Sequence, residues 1–222
     1  MNYDLSEIIT YYSTKSHKEL SELLHNKSKD NLISCLNDLL TVYMNDKNSS
    51  SLREFVTVSI AGYKHNSAKL GYNGYKHSSE IGSHSINCEA KPKNIQTDGY
   101  ELRKTKPKLN ADGSFNDYTY KRLEKDKNSI LNILSSGFID GELQYIIEFP
   151  FSVIENRMKE NLNKLVGPYL RSSAFNFSHI KNSKLLNIIY ANTDAVKRNK
   201  QYFNKDLYLF LTRNEWIYKY NY

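Results

Sequence analysis

A mixed α/β fold, with a central β-sheet flanked by helices and a helical subregion at the N-terminus, is predicted by three observations. Apolar residues recur at helical spacing through roughly the first sixty residues. Short runs rich in β-branched and aromatic residues come next, some alternating and some continuously apolar, as strands do. Turn-forming pairs punctuate those runs at Asp98-Gly99, Asp112-Gly113 and Asp140-Gly141. A chain of 222 residues can bury a good core. It is expected to form one domain, 1–222, with a helical dimerisation subregion at 1–62 and the main core at 63–222.

Lys18 to Lys27 and Asp30 to Tyr43 are expected helices, the second with a stripe of Leu32, Ile33, Leu36, Leu39, Leu40 and Tyr43 for the core or a subunit interface. Ser51-Leu52-Arg53-Glu54 has the form of a capping box and opens a helix to about Ala61, with Phe55 and Val58 on one side. Gly137 to Phe149 reads as a hairpin around Asp140-Gly141, closed by Pro150. Beyond it lie a helix from Val153 to Val166 and strands at Leu185 to Tyr190 and Leu207 to Leu211, and Trp216 to Tyr220 is expected to pack on the sheet or on a partner.

Composition narrows the function. A formal charge of +7 and a pI near 9.1 favour a polyanionic partner. The two cysteines, Cys35 on a helix and Cys88 on the apolar face of a strand, read as reduced thiols. The first residues lack a secretory pattern, and no run approaches the roughly eighteen apolar residues of a membrane span. A cytoplasmic protein without a membrane is therefore expected. No paired CxxC, P-loop or G-x-G-x-x-G is present, and the six histidines are scattered.

The chemistry is concentrated in Ser79 to Lys93. In an extended strand, Asn87, Glu89, Lys91 and Lys93 share one face, and Ile86, Cys88 and Ala90 share the other. A hairpin turning at Gly82-Ser83-His84-Ser85 would bring Glu80 opposite Glu89, within the cross-strand range of about 5 Å. Two carboxylates so placed repel unless they share a proton or a divalent cation, most simply Mg2+. Lys91 is then positioned to orient a water and to stabilise charge on a phosphate. The competing reading is a solvated sheet face with a cross-strand ion pair.

At Glu80 and Glu89-Ala90-Lys91 the chain resembles the PD-(D/E)xK nuclease superfamily, in which an acid precedes a strand bearing (D/E)-x-K. Within it the resemblance is to short, blunt-cutting type II restriction endonucleases. The usual first acid is Asp, and no Pro-Asp pair lies upstream; Asn73, in Gly71-Tyr72-Asn73-Gly74-Tyr75, occupies an alternative position for it. Glu80 is preferred because Asn carries no charge and Gly74 suggests a turn. The resemblance implies a restriction-endonuclease-like fold and a homodimer cutting double-stranded DNA at a palindrome. It further implies catalysis by Glu80, Glu89 and Lys91, with metal held by Glu80, Glu89 and the Ala90 carbonyl. Many members add an acid from the preceding helix, a role open to Glu54 beside simple capping.

Expected DNA contacts lie downstream. Lys93, Asn94, Lys104, Lys106 and Lys108 form a basic segment suited to phosphates, or a solvated loop. Ser114 to Arg122 reads as a strand whose Asn116, Tyr118, Thr119, Lys121 and Arg122 face DNA, or as a half-exposed strand with no such role. Arg171-Ser172-Ser173 and His179-Ile180-Lys181 carry further phosphate-binding groups. Two alternatives remain: a DNA-binding protein without chemistry, and a repair or junction nuclease that cuts by DNA shape.

Overall fold

Serine caps set the first helices. The computed structural model describes residues 3–46, 50–66, 71–77, 85–164 and 170–213, in two units, Met1–Ser50 and Ser51–Tyr222. The first unit holds α1 (Tyr3–Thr14), α2 (His17–His25) and α3 (Lys29–Asn45). Ser16 and Glu19 cap α2 reciprocally, and Ser28 accepts the Asn31 amide at the start of α3. Lys27 joins Asp4 and Glu7 of α1 at 2.6 and 2.7 Å. Leu5 and Cys35 are buried, whereas Ile33, Leu36, Leu40 and Tyr43 are exposed. The stripe on α3 is thus not core.

The second unit begins with α4 (Ser51–Ile60), which the sequence had grouped with the N-terminal helices. Then come β1 (Lys64–His65), β2 (Gly74–His77), β3 (Ser85–Ile95), β4 (Gly113–Tyr118), α5 (Tyr120–Lys127), β5 (Leu131–Ile139) and β6 (Glu142–Pro150). The remainder is α6 (Glu155–Leu162), β7 (Leu170–Phe175), α7 (Phe177–Ile180), β8 (Asn187–Ala191), α8 (Thr193–Arg198) and α9 (Lys205–Thr212). The result is a mixed α/β fold built on a six-stranded sheet in the order β1-β2-β3-β5-β6-β8. Only the β3–β5 pair is parallel; the others are antiparallel. β4 and β7 form a separate antiparallel ribbon.

β5 is central and buried along nearly its whole length, which explains its continuous apolar character. Its hairpin with β6 turns at Asp140 and Gly141, both with positive φ, as a tight hairpin turn of this hand requires. One core cluster gathers Ile133, Phe149, Phe151, Met158, Phe175 and Leu207; a smaller one gathers Val58, Ala61, Tyr63, Cys88, Ala90 and Leu134 beneath α4. Gly137 is required by packing, since a Cβ there would lie 2.3 Å from the Tyr145 ring.

The structure departs from several expectations. Leu207 to Leu211 is a helix: Asn204 caps it through the Asp206 amide, and Leu207 and Leu211, four residues apart, are both buried. The strand expected to run to Arg122 stops at Tyr118, because Thr119 caps α5 by accepting the Arg122 amide. Phe55 is exposed, and the buried side of α4 is Arg53, Thr57 and Val58. The helix expected from Val153 is a 3-10 turn at Phe151–Val153 followed by α6. Val166 and the segment Trp216 to Tyr220 lie outside the described residues. Among the described residues no helix is long and apolar enough to cross a membrane.

Candidate active site

The alternation expected around Glu89 is present. Cys88 and Ala90 are buried against Val58 and Leu134, with Ile86 packed beside them, so Glu89 and Lys91 project from the other face of β3. Their side chains are only 13% and 16% exposed. Lys91 Nζ donates to Glu89 Oε1 at 2.8 Å and sits 4.3 Å from the centroid of the Phe115 ring. Glu89 Oε2 is buried and has no hydrogen-bond partner among the described residues. A buried carboxylate oxygen left so is costly by about 1–3 kcal/mol, and it is an atom that a cation or water would satisfy.

The partner of β3 is not the expected one. β2 pairs with it in a register that sets Gly74 opposite Cys88 and His77 opposite Ser85, so Ser85 belongs to the strand and not to a turn. Asn73, one residue before Gly74, therefore lies alongside Glu89 and Ala90. Its Oδ1 accepts the Ala90 amide at 2.8 Å, and its Nδ2 donates to Glu54 Oε2 at 3.0 Å. Gly74 marks no turn; it is a strand residue whose Cβ would lie 2.6 Å from Val58 Cγ1. Glu80 lies outside the described residues.

Beside this constellation is a polar network that the sequence reading missed. Asp126 is fully buried and takes Arg122 Nε at 2.8 and 3.0 Å, the Tyr72 hydroxyl at 3.1 Å and the Tyr118 hydroxyl at 3.2 Å. Burial raises the Asp126 pKa above the usual carboxylate value, against the opposing pull of Arg122 and the hydroxyls. Burial works against the Arg122 charge, but Asp126 and then Glu89 outweigh it and raise its pKa. Arg122 also lies over the Tyr72 ring, 5.6 Å from its centroid, and Tyr72 directly precedes Asn73. Asp126 lies three residues after Leu123 on α5, and both are buried.

The expected DNA contacts divide. Lys104, Lys108, Asn116, Lys121 and Arg171 are exposed. Lys106 is exposed but ion-paired with Glu101, and Lys93 is paired with Asp112 at 2.6 Å. Tyr118 is only 1% exposed and serves Asp126, so it cannot meet DNA. Thr119 is committed to its cap, and Asn94 Oδ1 accepts the Gly141 amide at 3.1 Å. His179 closes a capping box at α7 with Asn176.

No protein-family model matches the chain, and no curated protein matches it. Among the described residues no group of three or more His, Cys, Asp and Glu side chains converges. Magnesium needs no such cage, because it keeps several waters and takes one or two carboxylates. The orphan oxygen of Glu89 fits that demand.

Proposed function

We propose that this protein is a magnesium-dependent endonuclease of double-stranded DNA, sequence-specific in the manner of type II restriction enzymes and acting as a homodimer. The observation that carries the reading is the Glu89–Lys91 pair: a largely buried carboxylate with one oxygen on a lysine 2.8 Å away and the other without a partner among the described residues. Through Asn73 that strand is tied to Glu54, the acid that the resemblance would add from the preceding helix. Homodimer and palindrome rest on the resemblance alone.

Glu89 Oε2 and the Ala90 carbonyl would hold the ion; the register that sets Asn73 alongside Glu89 removes the pairing that offered Glu80 as the further acid. Bound magnesium would lower the pKa of a water and neutralise phosphate charge. Lys91 keeps its ammonium beside Glu89 in the resting site and, when a phosphate enters, donates to a non-bridging oxygen or to the attacking water. Phe115 beneath Lys91 limits where that ammonium can go. Arg122, fixed through Nε by Asp126, has its remaining N–H groups for the phosphate. In-line attack of that water on phosphorus would break the P–O3′ bond, the 3′ oxygen taking up a proton as it leaves, and give 5′-phosphate and 3′-hydroxyl ends.

The neutral Asn73 favours a second reading, a DNA-binding protein without chemistry. Incubation with a large DNA in magnesium or EDTA, followed by end-sequencing, separates the two. Discrete magnesium-dependent fragments that share an end sequence, lost in Glu89→Ala while binding in calcium persists, support the nuclease. Intact DNA with a persistent gel shift overturns it.

A further inference from the structure

Two inward residues of β4 reach the two cations of the candidate site. Phe115 is buried, and its ring centroid lies 4.3 Å from Lys91 Nζ; Gly113, two residues earlier, is so close that a Cβ there would be 2.8 Å from Lys91 Cγ. Tyr118 is also buried, and its hydroxyl donates at 3.2 Å to Asp126, the carboxylate that holds Arg122 through Nε. In a regular pleat Phe115 and Tyr118, an odd number of steps apart, would face opposite sides. They share a side because Asp117, between them, adopts a left-handed backbone with φ 49°. Their rings then pack 5.3 Å apart. A non-glycine residue held at positive φ is a site of strain that surrounding structure must sustain, and its effect here is to turn Tyr118 toward Asp126.

Each contact restricts a cation while leaving it hydrogen bonds to give. An ammonium has three N–H groups. Lys91 gives one to Glu89, the face of the Phe115 ring bars a second direction, and one direction remains. Arg122 is held in a similar way: Nε is committed to Asp126, the guanidinium lies within electrostatic reach of Glu89, and its outer N–H groups have no partner among the described residues. β4 forms its ladder with β7 in a sheet of its own, so side chains, and not ladder bonds, seat it against β3. We infer that β4 is the positioning element of the site: Phe115 sets Lys91, Tyr118 sets Arg122 through Asp126, and the left-handed turn at Asp117 keeps both in place. The effect on cleavage rests on the nuclease reading; the placement of the two cations does not.

One measurement reads position without activity. In full-length protein labelled with 13C-lysine, the ε-methylene protons of Lys91, assigned by their loss in Lys91→Arg, should lie upfield of a solvent-exposed lysine because of the Phe115 ring current. They should return to the ordinary position in Phe115→Leu. A second measurement sets single-turnover cleavage beside duplex binding in calcium. Phe115→Leu should slow cleavage roughly 10²-fold with binding retained, and should slow it no further in the Lys91→Met protein; a purely structural role would lower both rates by the same factor. Asp117 is exposed, so Asp117→Val, a β-branched residue that resists positive φ, should fold and yet cut slowly, whereas Asp117→Gly should match the parent. A Lys91 methylene at the ordinary position in the parent, equal losses from Phe115→Leu in both backgrounds, or an Asp117→Val protein that cuts like the parent overturns the inference. A shifted methylene in a parent that cuts no duplex in magnesium overturns the nuclease reading and leaves the placement standing.

Discussion

Asn73 Oδ1 accepts the backbone N–H of Ala90 at 2.8 Å, so a side chain takes over where the β2 ladder stops. The same amide holds Glu54, which makes Asn73 a strut between α4 and the strand bearing Glu89 and Lys91. Asn73→Ala should lower stability by about 1–3 kcal/mol, because it leaves the Ala90 amide without an acceptor. Asn73→Asp keeps an acceptor but sets a second carboxylate against Glu54. It should melt below the parent in EDTA and gain more from magnesium than the parent does. Equal magnesium-induced shifts in Tm for the two proteins would count against a metal at this corner.

Lys91→Met preserves the stem over Phe115 and removes the ammonium. Cleavage should fall by roughly 10²–10³-fold with little change in duplex binding. Single-turnover rates beside binding curves in calcium test this, and an unchanged rate removes Lys91 from the chemistry.

Gly113→Ala would place a methyl 2.7 Å from Phe175 Cζ and 2.8 Å from Lys91 Cγ. Overpacking of this kind costs about 1–3 kcal/mol. Both neighbours must give for the methyl to fit, so Lys91 is displaced together with the Phe175 ring. Cleavage at a temperature where the variant is fully folded should therefore fall as well, and retention of the parental rate there would refute the coupling.

Asp126 gives a pH signature. Its folded pKa is raised above 3.8, so its contribution to stability is fully present below that value and is lost as pH rises through the folded pKa. Asp126→Asn resembles the protonated acid. Urea unfolding across pH 3.5 to 7 should show the deficit of the variant shrinking as pH rises. A deficit that grows with pH would mean that the Arg122 ion pair outweighs burial.

Cys88 is fully buried, and burial, with the charges of Glu89 and Glu148, pushes its thiol up to about 12. It should not react with a thiol reagent in the native protein at neutral pH and should react at once on unfolding. Fast native labelling mapped to Cys88 would contradict its place beneath α4.

Much of the sheet was legible because its signals are local. The alternation Ile86, Cys88, Ala90 against Glu89, Lys91 follows from the pleat alone, and Asp140-Gly141 declares its hairpin. The pairing of β3 was not legible, since Gly74 reads as a turn until the closeness of Val58 is known. Leu207 to Leu211 is a short apolar run of the sort that periodicity does not assign to helix or strand. Tyr118 was expected to face DNA as part of a strand mixing aromatic and polar residues, whereas the backbone turns at Asp117 and the Tyr118 ring is buried. Asp126 lies among lysines and glutamates, and nothing in that neighbourhood marks it as the buried member.

The parallel pairing of β3 with β5 bears on how the candidate site is assembled. The nine residues Asn87 to Ile95 find their partners only beyond a crossover that includes β4 and α5. Such long-range closure is slow compared with forming a hairpin. The β2–β3 and β5–β6 hairpins can each form early from neighbouring chain, but neither alone places Phe115 beneath Lys91 or Asp126 beside Tyr72. Newly made chains would pass through a stage in which the sheet is half assembled and Glu89 and Lys91 lack these neighbours; if the proposed nuclease reading holds, cleavage would wait until the molecule is whole.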